Sequence, residues 1–137
     1  MSKQKLYLKP GEAISSPMVS LEALLGTLIV DVHEEREVAI FDVPGAYLCA
    51  SIPKDKNVLI KFHCQFTEIM CGVNPEYKKN VIAEKGQNIL YVKVLQAING
   101  CIKSALLWYD LYSQTSVKMS FELNPYDNCV AKIRNGK

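Results

Sequence analysis

An apolar run, Val38-Ala39-Ile40-Phe41, leads straight into Asp42-Val43-Pro44-Gly45, and few backbone arrangements accept that order of residues. Val38 to Val43 is continuously apolar apart from Asp42, the pattern of a strand buried on both faces. A carboxylate inside such a strand is costly unless it is paired or binds a cation. Pro44-Gly45 stops the strand, so Asp42 is expected at its C-terminal end. There it can point into a cleft and hold Mg²⁺, which takes hard oxygen ligands and bridges phosphate oxygens. The plainer assignment for a strand-end Asp is a turn or cap residue, and on the residues alone both stay open. Pro44-Gly45 also lets the chain turn sharply, so that consecutive amides can face an anion. Tyr47, beside this loop, either walls a ligand pocket or packs inward.

The chain has 137 residues, enough for one domain or part of one with a real core. Apolar residues make up 49% and charged residues 22%, which excludes a disordered chain. A net charge of +2 singles out no partner. Only the two ends are mildly basic (Lys3, Lys5, Lys9; Lys132, Arg134, Lys137), and a solvated surface accounts for them. The five cysteines, Cys49, Cys64, Cys71, Cys101 and Cys129, form no Cys-x-x-Cys pair. Their odd number and the lack of a signal peptide point to reduced thiols in an intracellular compartment. His63-Cys64 is too tight to chelate one metal. The most apolar stretch, Leu21 to Val32, falls short of the about 20 residues that span a bilayer, so no membrane contact is expected.

Residues 1–16 read as a polar, loosely held lead-in with a breaker at Pro10-Gly11. Leu21, Leu24, Leu25, Leu28, Ile29 and Val32 follow helical spacing, which predicts an amphipathic helix from Ser20 to about His33. The charged run Asp31 to Glu37 is its solvated end. Val58–Phe62 and Ile89–Val94 are further strand candidates, Lys103–Val117 a second helix with Leu106, Trp108, Tyr109, Leu111 and Tyr112, and Cys129–Ile133 a fourth strand. Cys64 to Lys85 carries no firm pattern. Asn135-Gly136 is a strong hairpin signal just before Lys137, so the sequence is expected to stop inside a domain.

Asp42-Val43-Pro44-Gly45-Ala46-Tyr47-Leu48 resembles the first catalytic motif of reverse transcriptases, an Asp followed at plus five by Tyr or Phe. Ser16-Pro17-x-Val19-x-Leu21-Glu22 and its helix are similar to the segment before that motif in Ty1/copia-type retrotransposon polymerases. Ala97-Ile98-Asn99-Gly100, leading to Ser104, Trp108 and Tyr109, resembles the Leu-Tyr-Gly block of the family and the tryptophan helix after it. Phe121-Glu122-x-Asn124-Pro125-Tyr126-Asp127-x-Cys129-Val130 is similar to the Gly-Phe-x-x-x-x-x-Asp-x-Cys element. The four blocks stand in family order and cover roughly Ser16 to Gly136.

The resemblance implies an α+β fold: a partial polymerase palm and fingers, with helices on one face of an antiparallel sheet. The Asp42 strand would lie centrally beside Cys129–Ile133. The function implied is RNA-directed DNA polymerisation by two-metal nucleotidyl transfer, from a retrotransposon Pol polyprotein that also carries integrase and RNase H. Asp42 would bind both Mg²⁺ ions, with the Val43 carbonyl as a further ligand. Amides at Gly45 and Ala46 would meet the dNTP phosphates, Tyr47 would exclude a ribose 2′-hydroxyl, and Asn99 and Gly100 would lie beside nucleotide and template. The family's two further carboxylates come from an aromatic-x-Asp-Asp turn, and this sequence has no Asp-Asp pair. Asn99 stands where the family has tyrosine, and Ser120 where it has glycine. The isolated chain is therefore expected not to extend a primer. The alternative is a non-catalytic relic or interaction domain that keeps the fold. No Gly-x-Ser-x-Gly, phosphate-loop or dinucleotide glycine pattern supports another enzyme class, and nothing orders Cys49, His33 and His63 into a hydrolase.

Overall fold

The computed structural model describes Gly11 and residues 13–133, and its fold is α+β with antiparallel sheets. The lead-in residues 1–10 and 12, the basic residues Arg134 and Lys137, and the Asn135-Gly136 hairpin signal lie outside the described residues. The chain divides into two compact units, one running from Ile52 to Gln96 and the other made of the flanking segments.

The Ile52–Gln96 unit is a three-stranded antiparallel sheet of order β1-β3-β2, with β1 at Leu59–His63, β2 at Val81–Glu84 and β3 at Gln87–Lys93. The central strand carries the core: Leu90 is fully buried and Ile89 is 2% exposed. Lys85 and Gly86 join β2 to β3 with φ of 52° and 75°, and Glu84 pairs with Gln87. Positive φ at both central residues is what a two-residue hairpin turn needs to follow the sheet's twist. Helix α2, Gln65–Val73, follows β1 and packs on β1 and β3. It buries Thr67 and Cys71, one turn apart on one face. The Thr67 hydroxyl donates to the carbonyls of Phe62 (3.1 Å) and Asn88 (3.2 Å), which fastens the helix to two neighbouring strands. Asn74 then caps a 3-10 helix, Pro75–Asn80, by accepting from the Glu76 amide at 3.0 Å.

In the flanking unit, α1 spans Leu21–His33, one residue inside the predicted bounds. Ser20 caps it, its Oγ accepting from the Ala23 amide at 3.1 Å. None of its residues is buried.

The strand expected at Val38–Val43 does not form: these residues have no strand assignment, and Ile40 and Phe41 are 97% and 73% exposed. A strand needs a hydrogen-bonded neighbour, and among the described residues none pairs with this segment. Its apolar side chains signal burial without supplying a partner. The Cys129–Ile133 strand shortens to β5, Ala131–Ile133, and pairs with β4, Phe121–Leu123, in place of the Asp42 segment. Ahead of β4 in the chain, α3 covers Ser104–Lys118 and packs on β4 and on the 3-10 turn Ala46–Cys49. The buried Ser104 hydroxyl donates to the Ile98 carbonyl at 2.6 Å, and the Ala97 amide donates to the Ala50 carbonyl at 2.8 Å. These bonds tie the residues after Gln96 back to those before Ile52.

Candidate functional site

Asp42, Val43, Gly45, Ala46, Tyr47, Asn99 and Gly100 all belong to the flanking unit. Asp42 is exposed on unpaired backbone immediately before the turn that Pro44-Gly45 begins. Gly45 has φ 67°, in the left-handed region, and an added Cβ would meet Leu48 Cδ1 at 3.7 Å. Backbone sterics, more than crowding, therefore call for glycine there. Around it, the Ala46 amide donates to the Val43 carbonyl (3.1 Å), Leu48 to Gly45 (2.8 Å) and Ala50 to Tyr47 (3.0 Å). These bonds form the 3-10 turn and leave Tyr47 half-buried.

The donor set suits a hard cation as far as it goes. Asp42 supplies a carboxylate, and a carbonyl such as that of Val43 keeps a second lone pair after accepting one amide. Among the described residues no three His, Cys, Asp or Glu side chains gather as a metal-holding group. The Ala46 N–H already serves the turn, so contact with a phosphate would require that bond to open. Asn99 and Gly100 are exposed, Gly100 with φ 86°, in the turn leading to α3.

Asp127, to which the residue pattern alone assigned no role, holds two backbone amides through its carboxylate. Its Oδ2 accepts from the Ser20 amide at 2.8 Å and its Oδ1 from the Cys129 amide at 2.9 Å. These two backbone donors, Ser20 first, hold the carboxyl below its usual range, against a smaller opposing effect of desolvation. Beside it, the Asn124 side chain accepts from the Tyr126 amide at 2.8 Å and the Tyr109 hydroxyl donates to the Asn128 carbonyl at 3.3 Å. Partial burial pushes the Tyr109 hydroxyl and the Cys129 thiol upward, with the Asp127 charge adding to both. The signal available in sequence was Asn124-x-x-Asp127, since short acceptor side chains bond amides two residues on.

The sheet of the other unit carries a second polar group. Lys61 Nζ lies 2.8 Å from Glu84 Oε2, the Tyr91 hydroxyl donates to the same oxygen at 3.2 Å, and Nζ sits 5.4 Å from the Tyr91 ring centre. The mutual hydrogen bond raises Lys61 and lowers Glu84. Both side chains are solvated, so this trio orders the sheet surface and adds little stability. No helix among the described residues is long and apolar enough to cross a membrane.

No protein-family model, curated protein or solved structure matches this chain.

Proposed function

We propose that the chain is a fingers-and-palm portion of a Ty1/copia-type reverse transcriptase, an RNA-directed DNA polymerase of a retrotransposon Pol polyprotein. Its partners in this reading are an RNA or DNA template-primer, a dNTP and the rest of the polyprotein, including integrase and RNase H, inside the cell. Asp42 is the first ligand of the two Mg²⁺ ions, with the Val43 carbonyl beside it. Gly45 and Ala46 meet the triphosphate, Tyr47 walls off the ribose 2′ position, and Asn99 and Gly100 flank nucleotide and template. Mg²⁺, when bound, lowers the pKa of the primer 3′-hydroxyl and steadies the leaving pyrophosphate. The further carboxylates this chemistry needs must come from outside the 137 residues.

The reading rests on the four ordered sequence blocks, and one geometric observation carries it furthest. Ser120, which stands where the family pattern has glycine, has φ 69°. That left-handed backbone is what a glycine would serve, so the pattern and the local conformation agree where the residue itself departs. The Ser20–Asp127 hydrogen bond adds support, because it joins the first block to the fourth.

Calorimetric titration of the chain with a dNTP, with and without Mg²⁺, tests the proposal. Metal-dependent binding that Asp42→Ala abolishes supports it, while the chain alone extends no primer. The second reading, a fold-retaining interaction module, is favoured by the exposed apolar residues of α1 and of Val38–Phe41. It predicts no dNTP binding and no effect of Asp42→Ala.

A further inference from the structure

Asn99 and Gly100 are the two central residues of a turn in which the Cys101 amide donates to the Ile98 carbonyl at 3.3 Å and Gly100 has φ 86°. Both residues are exposed. Asparagine is a thermolabile residue because the backbone nitrogen that follows it can attack its side-chain carbon and close a five-membered ring. The two reacting atoms belong to one short stretch of chain, so the attack is intramolecular and gains from their enforced proximity.

The residue that supplies the nitrogen decides which asparagine reacts. Asn74 and Asn124 precede Pro75 and Pro125, whose nitrogens carry no proton to give up. Asn57 and Asn80 precede valines and Asn88 precedes Ile89, and their branched side chains crowd the attacking nitrogen. Asn128 precedes Cys129, whose amide is bound to Asp127 Oδ1 at 2.9 Å. Among the described residues, Asn99 alone is followed by a glycine.

Ring closure requires the peptide between Asn99 and Gly100 to rotate, and the turn permits it. A Cβ added at Gly100 would meet nothing within 4 Å, so no neighbour packs against that side of the turn. Glycine accepts either sign of φ, and the 3.3 Å closing bond is long for an amide and a carbonyl. The chain on either side is fixed. The Ala97 amide donates to the Ala50 carbonyl at 2.8 Å, and the Ser104 hydroxyl donates to the Ile98 carbonyl at 2.6 Å. The rotation is therefore confined to the turn, and the fold persists while the ring forms.

We infer that Asn99 is a site of spontaneous deamidation through the Gly100 nitrogen. That nitrogen gives its proton to solvent base and bonds to Asn99 Cγ. The Cγ–N bond of the side-chain amide breaks, and ammonia leaves. Water then opens the succinimide at either carbonyl, giving aspartate or an isoaspartate whose main chain runs through the former side chain. One ammonia is lost and one water gained, with no oxidant, reductant or enzyme. Either product puts a carboxylate where the sequence has a neutral amide, in the turn that leads into α3. The assignment stands on the turn and does not depend on the polymerase reading.

Peptide mapping by mass spectrometry, on folded chain held at neutral and at mildly alkaline pH, tests it. The peptide containing Asn99 should gain the mass difference between a hydroxyl and an amino group and separate into aspartate and isoaspartate forms. The rate should rise with pH, because the attacking nitrogen must lose a proton. Asn99→Gln should stay unconverted, since its longer side chain closes a less favoured ring. Gly100→Ala should slow the conversion about tenfold, a barrier higher by about 1.4 kcal/mol. A parallel sample in denaturing urea reports the same dipeptide without the turn, and should convert on the same timescale as the folded chain. The inference is overturned if Asn99 keeps its amide in the folded chain while the urea sample converts. It is equally overturned if another described asparagine converts faster, or if the rate ignores pH or the Gly100→Ala change.

Discussion

Ser20 and Asp127 are 107 positions apart, yet the Ser20 amide donates to Asp127 Oδ2 at 2.8 Å. The same Ser20 caps α1 through its side chain, so one residue both starts the helix and fastens it to the β4–β5 loop. Asp127→Ala should lower the thermal melting temperature at neutral pH by a few degrees. It should also weaken amide-exchange protection at Ser20 and Cys129 while leaving β1–β3 untouched.

The same pair sets an acid limb. Asp127 has a folded pKa below its ordinary 3.8, so its contribution is full above about pH 3.8 and is lost as the pH falls through the lower folded value. Glu84 behaves likewise from 4.5 downward. Melting curves between pH 5 and about pH 2 should flatten in Asp127→Ala, and only slightly in Glu84→Gln, whose ion pair is solvated. On the alkaline side Lys61 is raised above 10.5, so its contribution is full below that value and is lost as the pH rises through the folded one.

Left-handed backbone gives predictions of opposite sign. Ser120 holds φ 69° with a side chain, so Ser120→Gly should stabilise the protein by about 0.5–1 kcal/mol. Gly86 holds φ 75° in open space, so Gly86→Ala should cost about 1 kcal/mol from backbone strain alone. Gly26 lies inside α1 without positive φ and with nothing within 4 Å of an added Cβ, so Gly26→Ala should gain about 1 kcal/mol. Urea denaturation checks all three.

Thr67 is 2% exposed, and its hydroxyl serves two strand carbonyls. Thr67→Val keeps the shape and leaves those acceptors without that donor, at a cost of about 1–2 kcal/mol. Loss of exchange protection confined to the Ile52–Gln96 unit would locate the effect.

The sequence was legible where local chemistry suffices. The leucine spacing placed α1 to within a residue, and β-branched and aromatic residues placed β3. It was misleading at Val38–Val43, because an apolar run states that burial is favourable and says nothing of which strand will pair with it. It was silent at α2, a short helix whose leading residue, Cys64, has φ 44° and offers no side-chain cap. The β2–β3 turn uses Lys85-Gly86, not Asn-Gly, so its chemistry did not announce a hairpin. In the candidate site, Gly45 was legible as a tight turn. The position of Asp42 on unpaired backbone was not, because it depends on long-range pairing.

We propose that Asp42, its turn and the Asn99-Gly100 segment form the nucleotide-binding part of a polymerase. Chemical-shift mapping with a magnesium–dNTP complex tests it residue by residue. Metal-dependent shifts are expected at Asp42, Gly45, Ala46, Tyr47, Asn99 and Gly100, absent in Asp42→Ala. Unchanged spectra at those residues, or shifts that persist in Asp42→Ala, would contradict it.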